Sequence, residues 1–187
     1  MKMTIKTLFV TTLCVCWAMG ASGDGAPPGL LELCKQILCR VPSGDIQLGE
    51  GRVFTVKQQF PLPILHNNLV AIYPGEQVFI EVEQSPEGLR FIRAVSEMQN
   101  PGITLSFRLH QEGANPETYL EVNNPLPVPI KFRMGMMVPD SADIYSTSSC
   151  PVMAGLASYE QWLHPIFQLL VTDARILSEH DSQECTE

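Results

Sequence analysis

The groups best suited to chemistry in this chain of 187 residues are its methionines, histidines, cysteines and carboxylates, and spacing decides between their uses. Met134, Met136 and Met137 fall in one short stretch, with Met153 not far beyond. Thioethers crowded in this way suit a soft metal, and exported copper proteins use such ligands. Met134 and Met136, however, share the inward phase of an alternating segment, where methionine is a common core filler. Core packing is therefore the first reading. A periplasmic metal- or small-ligand-binding protein using the Met134–Met137 region is the alternative. The histidines His66, His110, His164 and His180 make no H-E-x-x-H motif and no pair at i, i+2 or i+4, so zinc finds no ready ligand set. No cofactor is implied.

Covalent catalysis has little to work with. The sequence holds no G-x-S-x-G elbow, no S-x-x-K and no glycine-rich phosphate loop. Ser146, Ser148 and Ser149 lie beside Cys150, but serine is ordinary in solvent-facing loops. Cys150 with His164 or His110 offers a thiol and a base, which a disulfide would remove. Among carboxylates, Glu81 and Glu83 share one face of a strand about 7 Å apart, and Glu97 and Glu121 are candidates for neighbouring strands. Such pairs suit glycosidic hydrolysis, yet an acidic chain supplies them by chance, and a solvated surface is the expectation. A small cell-wall hydrolase is thus the least favoured reading, and the protein is read as a non-enzyme.

The cysteines depend on the compartment, which the N-terminus indicates. Lys2 and Lys6 precede an apolar run from Leu8 to Met19, and small residues follow at Gly20, Ala21, Ser22 and Gly23. This is the pattern of a secretory signal over residues 1–23, cleaved after Gly20 or Gly23. The run is short for a membrane span, and no transmembrane segment is expected after cleavage. Cys14 and Cys16 sit inside the run, not at its end, which disfavours a lipid anchor. A periplasmic or secreted location follows. Cleavage leaves Cys34, Cys39, Cys150 and Cys185, an even set that reads as two disulfides with three possible connectivities. Cys34 and Cys39 flank four residues, a spacing that suits a small closed loop. If residues 30–41 are helical, however, they stand about 7.5 Å apart along the axis and on different faces, too far to pair. One or both would then clamp the N-terminal segment, residues 24–42, to Cys150 or Cys185. No N-x-Ser/Thr sequon occurs, which is compatible with bacterial export.

Charge narrows the partners. The whole chain carries a net −8, and losing Lys2 and Lys6 takes it to about −10. Nucleic acid and anionic membranes call for a cationic footprint, so neither is expected.

The elements that must position these groups are mostly strands. Leu30 to Val41 reads as a short amphipathic helix or, nearly as well, a strand, and Pro42-Ser43-Gly44-Asp45 ends it. Strands are expected at Arg52–Gln58, Leu69–Tyr73, around Val78–Val82, at Leu89–Val95, Ile103–His110 and Tyr119–Asn123, around Ile130–Met136, and at Phe167–Ile176. A polar loop is expected from Pro139 to Ser149. Short strands between Pro/Gly turns predict a mainly-β fold over residues 43–187. The form expected is an immunoglobulin-like antiparallel β-sandwich behind a short N-terminal helical or irregular segment. The Cys…Trp…Cys signature is missing, so that resemblance is architectural only.

Three proline-bounded stretches remain. Phe60-Pro61-Leu62-Pro63 cannot form a full ladder, and Asn123 to Pro129 carries three prolines at alternate positions. Ser158 to Pro165 offers Tyr159, Trp162 and His164. Stiff loops with large aromatics suit recognition, because ordering them costs little entropy. Phe60, Leu62, Tyr159, Trp162 and His164 are the candidate binding residues. The competing and favoured reading is structural, with Trp162 plugging one end of the sandwich and the prolines protecting exposed strand edges. The function expected is an exported non-catalytic interaction domain, of inhibitor or immunity type or an accessory part of an envelope assembly. Its partner would be another exported or envelope protein.

Overall fold

The computed structural model describes residues 26–27, 29–85, 88–178 and 180–186. The expected export signal, with Cys14 and Cys16, lies outside them. So do Pro86 and Glu87 of the expected turn after Ser85. No helix among the described residues is long and apolar enough to cross a membrane.

The N-terminal helix is far shorter than the periodicity suggests. α1 covers only Leu30–Leu33, and β1 (Cys39–Arg40) is already extended. An isolated helix of a dozen residues is marginal in water, so tertiary contacts decide the segment's shape. Cys34 is bonded to Cys39 with Cα atoms 5.5 Å apart, closing a small loop that a continuous helix would forbid. The second fastener is Arg40. Its Nε and Nη2 donate to the two oxygens of Glu76 at 2.9 and 3.1 Å. Nη1 donates to the Leu62 and Pro63 carbonyls, and Nη2 also to Ala71 O. All five guanidinium N–H groups are used, and the cation stands 4.9 Å from the centre of the Tyr73 ring. Of the two arrangements the sequence allowed, the small Cys34–Cys39 loop forms and the clamp from residues 24–42 to Cys150 or Cys185 does not; the Arg40 guanidinium fastens the segment instead.

β1 pairs with β4 (Leu62–Pro63), a two-residue ladder that the flanking prolines keep short. Between them, β2 (Ser43–Gly49) and β3 (Arg52–Lys57) form a hairpin where a terminating turn was expected at Pro42–Asp45. Glu50 and Gly51 turn it with φ of 53° and 73°, the left-handed pair that suits the twist of a hairpin. Buried Ile46 and Val56 anchor it. The Gln111 side chain docks it by accepting from Gln47 N at 2.8 Å and donating to Gln47 O at 3.1 Å.

The remaining strands are β5 (Leu65–His66), β6 (Leu69–Ile72), β7 (Gln77–Ser85), β8 (Gly88–Val95), β9 (Thr104–Gln111), β10 (Thr118–Asn123), β11 (Ile130–Met137), β12 (Tyr145–Thr147), β13 (Ala157–Trp162) and β14 (Gln168–Ile176). They build two antiparallel five-stranded sheets, ordered β13-β10-β9-β7-β8 and β12-β11-β14-β6-β5. The mainly-β sandwich that the turn spacing predicts is what forms. Leu105, Phe107 and Leu109 are sealed in the core, as their alternation requires, and Phe132 packs between Phe91 and Phe107. Met134 belongs to the same core.

Cys150 is bonded to Cys185. That bond ties the C-terminal segment beside the end of β12, where Ser149 and Thr186 exchange backbone hydrogen bonds. Neither disulfide joins the two sheets.

Two expectations change here. Glu81 does not lie on a solvated face: it is 4% exposed, and its oxygens accept from Arg93 Nε and Asn100 Nδ2, both at 2.7 Å. The Arg93 bond, then the Asn100 bond, hold its carboxyl below the usual range. The second change is β13, a full strand where a recognition loop was expected.

Candidate functional site

β13 forms because all six of its residues find partners on β10, from Asn123↔Ala157 to Thr118↔Trp162. Period-two geometry then sorts its side chains. Ser158, Glu160 and Trp162 turn inward, and Ala157, Tyr159 and Gln161 face solvent. Trp162 packs on the core and donates Nε1–H to Thr147 Oγ1 at 2.8 Å, linking the outermost strands of the two sheets. Beyond it, the Thr118 hydroxyl donates to His164 O and accepts from Ile166 N, which fixes the exit of the chain.

The candidate residues therefore divide. Tyr159 is 71% exposed and Leu163, just past the end of β13, 76%, with Leu156 and Met153 also open. Trp162 is a structural plug whose ring is half-buried. Phe60 and Leu62 are half-buried, the Leu62 carbonyl accepts from Arg40, and the groove lined by His164 includes neither residue. That groove, of about 580 Å³, lies between the β2–β3 hairpin, the segment from Met136 to Asp140 and the residues just past β13. Leu48, Met136, Pro139 and Tyr145 line it beside His164, with Arg52 and Asp140 as its charged groups. His164 Nδ1 lies 3.1 Å from Pro165 O.

Sheet edges invite strand addition, and proteins normally defend them with charge, proline, bulges or brevity. The two large sheets have four outer strands. β8 carries Arg90 and Arg93 and a bulge opposite Glu81 and Val82. β5 has two residues and β12 three, and the tail closes the chain beyond β12 at Ser149. β13 has six residues with no proline, no bulge and no outward charge, because its one carboxylate, Glu160, turns inward. Sequence reasoning singled out Tyr159 but missed the edge. The signal available was the run Ala157 to Trp162, which lacks lysine, arginine and proline.

The catalytic arrangements considered from sequence do not assemble. Cys150 is in a disulfide and offers no thiol to His164 or His110. Ser149 is buried and its hydroxyl donates to Phe132 O. Glu121 lies on β10, whose neighbours are β9 and β13, while Glu97 follows β8 on the far side of that sheet. Glu160 accepts from Cys150 N at 2.9 Å. Burial pushes its carboxyl up, and the Cys150 N–H and the charge of Lys131 draw it partly back. Among the described residues, no cluster of three or more His, Cys, Asp or Glu side chains could hold a metal.

Fold and edge together define a disulfide-bonded antiparallel β-sandwich with one undefended outer strand. The chain matches no family model, no curated protein and no solved structure.

Proposed function

We propose that this is an exported, non-catalytic interaction domain that binds another exported or envelope protein by taking one of its strands against β13. The observation that carries the reading is the unguarded six-residue edge with Tyr159 and Leu163 standing out beside it. Main-chain bonds along such an edge supply affinity, and side chains facing solvent supply selectivity. Two disulfides fit a periplasmic or secreted setting. The partner is of the kind an inhibitor, an immunity protein or an accessory envelope subunit would meet.

The test is hydrogen exchange on the protein with its co-purified partner. Amides of Ala157–Trp162 should gain protection in the complex. Tyr159→Lys should weaken binding by about 30-fold, the cost of a lost aromatic anchor, while leaving the melting temperature within a degree or two. A complex that leaves β13 exchange unchanged overturns the edge reading.

A second reading keeps one observation in its favour. Met136 and His164 line the same groove. The Pro165 carbonyl beside Nδ1 suits the tautomer that leaves Nε2 free as a ligand. A thioether and an imidazole among apolar walls suit copper(I). Competitive copper(I) titration decides it: binding weaker than micromolar, or binding indifferent to Met136→Leu, ends this reading.

A further inference from the structure

The C-terminal segment is held at three kinds of contact. Cys185 is bonded to Cys150. Ser149 and Thr186 exchange backbone hydrogen bonds of 3.2 and 3.3 Å. Lys131, from β11, donates its ammonium protons to Glu184 O at 3.0 Å and to Thr186 Oγ1 at 2.6 Å. Lys131 is only 3% exposed, and among the described residues these are its only hydrogen-bond acceptors. A buried cation is costly unless its protons are satisfied. The tail therefore completes the solvation of Lys131, and Lys131 in return grips the tail.

The residues of the two disulfides differ in exposure. Cys185 is solvent-exposed and Cys150 half-buried, whereas Cys34 and Cys39 are both half-buried. An attacking thiolate needs an open path to sulfur, so access separates labile bonds from inert ones.

We propose that Cys150–Cys185 is a site of thiol–disulfide exchange, attacked at Cys185 by an external dithiol, and that its opening lifts the tail from Lys131 and Ser149. The thiolate of the dithiol forms a bond to Cys185 Sγ, the protein S–S bond breaks, and Cys150 leaves as a thiolate that takes a proton from water. The second thiol of the reagent then closes its own disulfide and releases Cys185. The protein gains two electrons and the dithiol is oxidised. What opens is the backbone at Ser149, just past β12, together with a lysine sealed until that moment. This device is independent of the β13 reading.

The full chain is treated with dithiothreitol under native conditions, quenched with an alkylating agent and mapped by mass spectrometry. Cys150 and Cys185 should be labelled at least about tenfold faster than Cys34 and Cys39, with faster amide exchange at Ser149 while Leu105–Leu109 stays protected. Equal rates for the two disulfides, or a Ser149 amide still protected after reduction, overturn the proposal. Lys131→Met removes both bonds to the tail and should speed opening of Cys150–Cys185 roughly tenfold relative to Cys34–Cys39; an unchanged ratio shows that Lys131 does not hold the tail. Cys185→Ser provides the check that needs no reductant. Its Ser149 amide should exchange at least about tenfold faster, and wild-type protection there counts against the clasp.

Discussion

Asn124 is where one side chain is asked to do most, and Asn124→Ala tests the account of how the three-proline stretch is held. The residue is fully buried, with no exposed surface. Its Nδ2 donates to Val128 O at 2.9 Å, Val152 O at 3.1 Å and Met153 O at 3.2 Å, and its Oδ1 accepts from Leu126 N at 3.0 Å. Two N–H groups serve three carbonyls, so one proton is shared. The amide thus joins the start of the stretch to its end and to residues 152 and 153. Alanine would strand the buried Leu126 N–H, which costs about 1–3 kcal/mol, and would forfeit donor bonds worth about 1 kcal/mol each. Counting one bond per donor proton, the sum is roughly 3–5 kcal/mol, a large part of the 5–15 kcal/mol typical of a domain. It corresponds to a fall in melting temperature of roughly 10 °C at this size. Urea unfolding followed by circular dichroism, with the disulfides intact, measures it. Asn124→Asp should be worse than alanine, because it keeps the acceptor for Leu126 but faces three carbonyls with a carboxylate. A loss below 1 kcal/mol for alanine, or an aspartate variant as stable as wild type, refutes the reasoning.

Four further outcomes are expected. Arg40→Met should cost about 3 kcal/mol, since it leaves the part-buried carboxylate of Glu76 without its cation. Arg40→Lys should recover little, because three ammonium protons cannot cover five acceptor contacts, and denaturant melts placing it within 0.5 kcal/mol of wild type would contradict this. Glu160→Gln bears on pH. The folded carboxyl sits above its ordinary range through burial, so the stability it contributes at low pH is lost as pH rises through the folded value. The variant's stability relative to wild type should therefore become more favourable from pH 4 to pH 7, and a flat difference would count against it. Glu81 runs the other way. Its carboxyl is held low by Arg93 and Asn100, so its contribution is present above the usual carboxylate range and fades as acid protonates the folded form. Glu81→Gln should be destabilising at pH 7, with the gap to wild type closing towards pH 3 in thermal melts.

The sequence spoke clearly wherever one face of a strand is buried. Leu105, Phe107 and Leu109, or Ile130, Phe132 and Met134, alternate because a sandwich interior demands it. Thr104 and Ser106 are buried as well, and alternation alone does not foresee cover on the second face. β2 was hidden because Gly44, Asp45 and Gly49 look like turn residues, and only the docking of Ile46 and Gln47 makes them extend. The first helix failed because hydrophobic periodicity carries no information about a guanidinium that finds five acceptors on distant segments. Glu81 was placed on the correct strand, but its burial comes from the loop bearing Asn100 and from Arg93 across the ladder. As for the candidate site, Tyr159 was legible as a large side chain in a polar stretch. That its strand ends a sheet is a property of strand order, which no local pattern records.

Among the outer strands of the two large sheets β13 alone stands undefended, so these sheets offer one valence. Two copies that joined β13 to β13 in antiparallel fashion would be related by a twofold axis, and each would cover the other's undefended edge. Such growth stops at a pair, whereas a sheet open at both sides can extend into a fibre. Self-pairing and partner capture would then draw on the same resource. The partner's apparent affinity should fall as the concentration of this protein rises, and a partner in excess should dissolve the pair.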